Sequence, residues 1–225
     1  MALDFIDLRR KMVDNQIRTV DVTRLSVLEA FLTVPREAFV DEDKQALAYL
    51  DEDIMIAKPD DNGPARYIME PAPLAKLLQL ADIREQDRVL DIGATTGYCA
   101  ALLSNLANKV VAVESNKMLA DRAVSTLKQL SCDNVIIFNG PLEKGHLFEG
   151  PYHVIVIEGA VDFVPQTIFQ QLREGGRLVV VEGHGNAGAA KLYTRQDGVI
   201  SGRRAFNLAV KPLAGFLKAP EFVFN

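Results

Sequence analysis

The chain has 225 residues, of which 48% are hydrophobic and 24% charged, a composition typical of a globular domain with a sizeable buried core. Its net charge of −5 argues against general nucleic-acid binding, and no apolar run is long enough to span a membrane. Cys99 and Cys132 show no CxxC spacing, and the N-terminal residues have no apolar signal core. These features favour reduced thiols and a cytoplasmic location.

The first 50 residues have the apolar spacing of helices. Phe5, Leu8 and Met12 lie on one helical face, a second series runs from Leu25 to Leu32, and Pro35 ends it. Residues 51–66 contain acidic residues, prolines and a glycine, which predicts a loop. A further helix is predicted from Pro71. We expect residues 1–70 to form a helical cap with a loop, and residues 71–225 to form one compact core.

That core shows apolar, β-branched runs that alternate with helical patterns. Continuous apolar runs are typical of buried parallel strands, and their alternation with helices predicts βαβ units. Turn signals in residues 191–225 predict one or two antiparallel strands that close the sheet edge. The expected fold is an α/β, Rossmann-like sheet with helices on both faces. Its predicted strands lie at residues 88–93, 109–114, 134–140, 153–159 and 177–183.

The stretch LDIGATTGY, residues 90–98, indicates a ligand-binding turn between a strand and a helix. Gly93 and Gly97 would let the backbone approach a ligand, and Asp91 ends the strand before them. Glu114 ends the next strand, where a carboxylate can accept hydrogen bonds from ribose hydroxyls or simply face solvent. A dinucleotide dehydrogenase is disfavoured because its loop needs G-x-G-x-x-G. S-adenosylmethionine (SAM), which has no phosphate, fits this spacing better.

Six segments carry a family resemblance: MVDNQI (12–17), VPREAFV (34–40), AYLDE (48–52), LDIGATTGYCAALL (90–103), PYHVIVIEGA (151–160) and QLREGGRLVVVEG (171–183). Through them the chain resembles the protein-L-isoaspartate O-methyltransferase family over most of its length. The resemblance implies a Rossmann-like SAM-dependent methyltransferase with extra N-terminal elements. It also implies methyl transfer to the free carboxylate of isoaspartyl residues in damaged proteins or peptides, the first step of their repair.

The resemblance also assigns site residues, and four positions depart from the family pattern. Thr95 replaces a glycine, Met69 the active-site serine, Pro141 an acid that contacts the adenine amine, and Glu158 a small polar residue. Because threonine tolerates positive φ poorly, we expect either a negative φ at residue 95 or a reshaped loop. The predicted substrate-binding residues are Met69, Glu70 and Glu158. The predicted cofactor-binding residues are Ile68, Asp91, Gly93, Ala94, Thr95, Gly97, Tyr98, Glu114, Ser115, Gly140 and Leu142.

Three functional hypotheses follow from these residues. The first is an isoaspartyl methyltransferase with weakened or altered activity, since Met69 cannot donate a hydrogen bond and Glu158 adds a negative charge. The second is a SAM methyltransferase acting on a different substrate, and the third is a non-catalytic binding protein of the same fold. His146, His153 and His184 have no metal-ligand spacing, so no metal site is predicted. We expect no nucleic-acid or membrane partner, and the sequence leaves the oligomeric state open.

Overall fold

A computed structural model describes residues 3–59 and 64–217 of the chain. The N-terminal part is mainly helical, as expected: α1 spans Phe5–Met12, and α2 spans Leu25–Thr33 and ends before Pro35. A π-helical turn at Val13–Ile17 and 3₁₀ turns at Arg18–Val20, Arg36–Phe39 and Glu42–Leu47 complete this region. No helix in the described residues is long and apolar enough to cross a membrane.

The predicted loop at residues 51–66 contains one strand and the first residue of a second, so that prediction is wrong in part. Strand β1 (Ile54–Ala57) pairs antiparallel with β2 (Arg66–Ile68), and the two form a separate two-stranded sheet. Prolines and acidic residues around these short runs obscured the pairing in the sequence. Residues 60–63, between the strands, lie outside the described residues.

The main sheet has seven strands in the order β5-β4-β3-β6-β7-β8-β9. Strands β3 to β7 are parallel to one another, whereas β8 and β9 add an antiparallel meander at one edge. The predicted Rossmann-like arrangement is therefore confirmed, including the antiparallel tail. The strands span Arg88–Ile92 (β3), Lys109–Glu114 (β4), Val135–Asn139 (β5), Tyr152–Val161 (β6), Leu172–Glu182 (β7), Ala189–Gln196 (β8) and Val199–Asn207 (β9).

Helices cover both faces of the sheet, with the longer ones on a single face. Helices α3 (Pro71–Leu80), α4 (Tyr98–Ser104) and α5 (Lys117–Gln129) pack there with α2, over strand residues such as Val89 and Val154. Proline suits the start of α3 because the first turn of a helix leaves its N–H groups without helical partners. The N-terminal helices share this core, and the division of the chain at residue 70 stays a prediction.

The opposite face has a thinner cover. The short helix α6 (Gln166–Phe169) and the 3₁₀ turn Leu142–Lys144 pack over Leu90 and Ile155, together with the C-terminal segment that carries Leu213 and Phe216. This C-terminal segment runs beside the end of β6 and therefore reaches the edge of the sheet where the predicted site lies.

Candidate functional site

The turn after β3 is tightly wound and completely buried. Gly93 and Gly97 have φ angles of +98° and +94°, which glycine adopts without a steric cost. Thr95 has a φ of +50°, which excludes the first of the two expected alternatives, a negative φ, and leaves the reshaped loop as a prediction. Hydrogen bonds hold this conformation: the amide of Thr95 donates to Glu114 Oε2 (2.8 Å), and Thr96 Oγ1 donates to the carbonyl of Phe39 (2.8 Å).

Glu114 lies next to this turn, as the parallel strands predicted, but its side chain has no solvent exposure. Its Oε2 accepts from Arg66 Nη2 (2.7 Å) and from the Thr95 amide. Its Oε1 accepts from the amide of Asn116 (2.8 Å) and, at 3.4 Å, from Ser115 Oγ. A carboxylate offers about four acceptor positions, so Glu114 is saturated by the chain itself.

Two side chains that the sequence did not single out lie against the turn. Arg66 Nη2 also donates to the carbonyl of Gly93 (3.2 Å), and only 7% of its side chain is exposed. Leu213 packs on the other side, where a Cβ built on Gly93 would lie 3.0 Å from Leu213 Cδ1. The position of Arg66 three residues before Met69 was the one available signal, and Leu213 gave none.

Asp91 and Glu158 form a close carboxyl pair at the ends of β3 and β6, with Cys99 beside them. Within the described part of the chain this is a possible metal-ligand group, whose ligand atoms lie within 4.8 Å of one another. Both oxygens of Asp91 and Oε1 of Glu158 are buried without a well-formed hydrogen bond. The turn and the pair thus bring five predicted site residues to one edge of the sheet: Asp91, Gly93, Thr95, Glu114 and Glu158.

Burial sets the protonation of this group. It raises the pKa of Asp91 to about 7, and together with the negative charge of Asp91 it raises that of Glu158 well above its usual value. Burial also raises the pKa of the Cys99 thiol. Because two buried carboxylates so close together cannot both ionise easily, the pair holds a proton at neutral pH. Both cysteines are free, and the absence of a metal stays a prediction.

Comparison with known proteins finds one family for nearly the whole chain. The family model for protein-L-isoaspartate(D-aspartate) O-methyltransferase matches residues 8–215. The chain belongs to this family. A protein-L-isoaspartate O-methyltransferase of Roseiflexus sp. (strain RS-1) is 32% identical over 213 residues, which are 95% of this chain and 94% of the relative. One of Anaeromyxobacter sp. (strain Fw109-5) is 37% identical over 175 residues, 78% of this chain and 70% of the relative.

Solved structures of the isoaspartyl methyltransferase family show the same fold. One protein-L-isoaspartate O-methyltransferase aligns with a TM-score of 0.80 and 28% identity, over 92% of this chain and 66% of that one. A Plasmodium falciparum structure, described as a putative member in complex with S-adenosyl-L-homocysteine, aligns with a TM-score of 0.75. The two sequences are 18% identical, and the alignment covers 94% of this chain and 99% of that one. The predicted family, fold and methyltransferase class are confirmed.

At the family's serine position, Met69 is buried with 5% exposure, and its carbonyl accepts a hydrogen bond from Arg36 Nη2 (2.8 Å). Glu70 follows it at the start of α3, and its amide donates to Asp53 Oδ1 (3.0 Å). Partial burial, together with the charges of Asp51 and Asp53, raises the pKa of Glu70 to about 7. Glu70 thus lies among acidic residues, and the substrate-binding role of Met69 and Glu70 stays a prediction.

Several other predicted cofactor-binding residues have side chains in the core. Ile68, Ala94, Tyr98 and Leu142 are all at most 2% exposed. The ring of Tyr98 packs behind the turn against Phe31, Phe39 and the Arg36 guanidinium. These residues could meet a cofactor only through their backbones, whereas Gly140 and Ser115 lie nearer the surface. Their roles in cofactor binding stay predictions.

Proposed function

We propose that this chain is a SAM-dependent methyltransferase whose activity on isoaspartyl carboxylates is weak or altered. The family match over residues 8–215 carries the methyltransferase part. The placement of the glycine turn beside Asp91 and Glu114, at the carboxyl ends of parallel strands, supports a cofactor cleft there. The departures at Met69 and Glu158 support the weakened activity. A cytoplasmic location and a protein or peptide substrate remain part of the proposal.

The cleft in its described conformation does not fit the cofactor. Arg66 uses the acceptor that a ribose would need on Glu114, and Leu213 lies against Gly93. SAM, when bound, would supply a methyl group on a sulfonium. Methyl transfer therefore requires a different conformation of the cleft.

An isoaspartyl carboxylate is already ionised at neutral pH, so its methylation needs alignment more than a general base. Met69 cannot donate the hydrogen bond that a serine would offer such a carboxylate. The Asp91–Glu158 pair carries negative charge at neutral pH, and Glu70 adds more as its carboxyl ionises near pH 7. A like charge disfavours a substrate carboxylate in the cleft.

The same acidic groups favour a second candidate, a methyltransferase for a cationic or hydroxyl-bearing substrate. Glu70 and Glu158 would attract a cation or accept a hydrogen bond from a hydroxyl group. A non-catalytic binding protein is the third candidate, supported by the filling of the cleft by Arg66 and Leu213.

Transfer of radiolabelled methyl groups from SAM to an isoaspartyl peptide, beside its aspartyl twin, tests the proposal. A family member that keeps the serine serves as the reference enzyme. We expect transfer to be slower than in the reference by about 10²–10³, the usual effect of losing one transition-state donor. Equal rates would contradict the weakened activity. Methylation of other substrates but not of the isoaspartyl peptide would favour the second candidate.

A further inference from the structure

Two side chains of the protein itself, Arg66 and Leu213, lie in the cofactor cleft. We infer that Arg66 and Leu213 compete with the cofactor, so that binding requires both side chains to leave and Arg66 sets the cofactor affinity. This inference rests on the proposed function, which places a SAM site in the cleft. Two observations support it: Arg66 donates to the fully hydrogen-bonded carboxylate of Glu114, and Leu213 packs against Gly93.

Arg66 is the donor to Glu114 that does not belong to the turn. The amides of Thr95 and Asn116 and the Ser115 hydroxyl come from the loops after β3 and β4, so a bound ribose would not have to displace them. Arg66 instead reaches across from β2, where its guanidinium bonds both Glu114 and the Gly93 carbonyl. A ribose hydroxyl can take the position of this guanidinium only if Arg66 withdraws.

Leu213 fills the space that the glycines leave. A Cβ built on Gly159 would lie 2.8 Å from Leu213 Cβ, and one on Gly93 would lie 3.0 Å from its Cδ1. The backbone of this segment pairs with the end of β6: the amide of Ala160 donates to the carbonyl of Lys211, and the amide of Leu213 donates to that of Ala160, both at 2.9 Å. Because these two glycines have no side chain, the segment that carries Leu213 can pack directly against them.

The segments that carry Arg66 and Leu213 also contact each other through Lys211. Lys211 Nζ lies 5.4 Å from the ring centroid of Tyr67, the neighbour of Arg66, and 4.0 Å from Asp53 Oδ2. Strands β1 and β2 pair with no other strand in the described residues, and a two-stranded hairpin alone is only marginally stable. Withdrawal of the Arg66 side chain and of the C-terminal segment would open the cleft without breaking a ladder of the seven-stranded sheet, while Ile54 and Ile68 of the hairpin stay in the core.

Such an arrangement lowers the apparent affinity for the cofactor. When only a fraction of the molecules has an open cleft, the apparent dissociation constant equals the intrinsic one divided by that fraction. Replacing Arg66 with an uncharged residue removes the competing donor while leaving the amides of Thr95 and Asn116 on Glu114. The variant should therefore bind the cofactor more tightly than the natural chain.

Calorimetric titration of the full chain with S-adenosylhomocysteine tests this inference. The variants are Arg66→Gln and Leu213→Ala, with Arg177→Gln as the matched control. Arg177 forms a comparably buried ion pair with Asp87 (2.5 Å) on residues that do not contact the turn. We expect Arg66→Gln to tighten binding by about 5- to 150-fold, the range of typical coupling between sites. Leu213→Ala should tighten it as well, and Arg177→Gln should leave it unchanged.

Hydrogen exchange on the natural chain provides a measurement that does not depend on variant folding. Saturating S-adenosylhomocysteine should speed exchange of the amides of Ala160 and Leu213, because their mutual pairing would open. Slower exchange there, or equal affinities in the natural chain, Arg66→Gln and Leu213→Ala, would overturn the inference and leave the proposed function standing. Failure of every variant to bind would overturn both.

Discussion

The carboxyl groups of Asp91 and Glu158 face each other on the neighbouring parallel strands β3 and β6, although 66 residues separate them in the chain. Among the described residues neither has a basic partner at hydrogen-bond distance, since Arg66 is engaged by Glu114 and Gly93. Burial raises the pKa of both groups. The native state consequently holds protons there that the unfolded chain would release.

Glu158→Gln should alter the dependence of stability on pH. Because the folded pKa of Asp91 is raised from 3.8 to about 7, its favourable contribution is complete below pH 4 and is lost as the pH rises through 7. An amide at position 158 can donate to Asp91 without adding charge. We expect the variant to be more stable than the natural chain above pH 7 by about 1 kcal/mol or more, since one pKa unit corresponds to ~1.4 kcal/mol.

Urea unfolding between pH 5 and 9 measures this effect. Glu149→Gln is the control. Lys109 lowers the pKa of Glu149, so Glu149 affects the pH dependence of stability only at acidic pH. A Glu158→Gln curve parallel to that of the natural chain over this range would show that the pair does not share a proton.

Met69→Ser should raise methyl transfer to the isoaspartyl peptide. The serine would restore a hydrogen-bond donor at the family position, and one such donor is typically worth about 10²–10³ in rate. We expect a gain of about tenfold or more, limited by the negative charge that the Asp91–Glu158 pair still carries. Met69→Ala is the control, because it removes the thioether without adding a hydroxyl, and an equal gain in both variants would refute the role of the hydroxyl.

Thr95→Gly should change stability little. Relief of the left-handed conformation of Thr95 is worth roughly 1–2 kcal/mol, and the greater backbone freedom of glycine costs roughly 0.5–1 kcal/mol. Loss of the buried threonine contacts offsets what is left of the gain. The unfolding free energy should therefore stay within about 1 kcal/mol of that of the natural chain. Calorimetry with SAM on the same variant shows whether the threonine side chain obstructs the cofactor, in which case binding tightens.

The adjacent Thr96→Gly variant is the control for this substitution. Thr96 Oγ1 donates to the buried carbonyl of Phe39, and leaving that carbonyl unpaired costs roughly 1–3 kcal/mol. Urea unfolding should therefore show a clear loss for Thr96→Gly. A loss of the same size in Thr95→Gly would mean that the left-handed threonine is not strained.

Arg36→Gln should strongly destabilise the fold. Arg36 has no solvent exposure, donates to the carbonyls of Ala48 (2.8 Å) and Met69, and lies 4.7 Å from the centre of the Tyr98 ring. Loss of these contacts should cost about 2–5 kcal/mol, because two buried carbonyls would each lose a donor at roughly 1–3 kcal/mol. Arg122→Gln, which breaks a half-exposed ion pair with Asp41, should cost about 1 kcal/mol or less by chemical unfolding. Similar losses in both variants would contradict the structural role of Arg36.

Local sequence patterns were enough to predict the sheet and the position of its ligand-binding edge. Continuous β-branched runs predicted strands β3 to β7, since only doubly covered strands are apolar on both faces. Parallel strands bring their carboxyl ends to one edge, so the nearness of Asp91 and Glu114 followed from strand order. The VPRE segment and the glycine turn indicated the family, because these local motifs need no knowledge of distant contacts.

The side chains that lie at that edge could not be predicted, because they come from distant parts of the chain. Arg66 meets Glu114 from 48 positions away, and Leu213 reaches Gly93 from the other end of the chain. Such contacts leave no periodic pattern, because one arginine or leucine looks the same in the sequence whether it faces solvent or a cleft. The β1–β2 hairpin was missed for a related reason: short strands carry too few residues to show a period, and their pairing depends on a partner that the local sequence does not reveal.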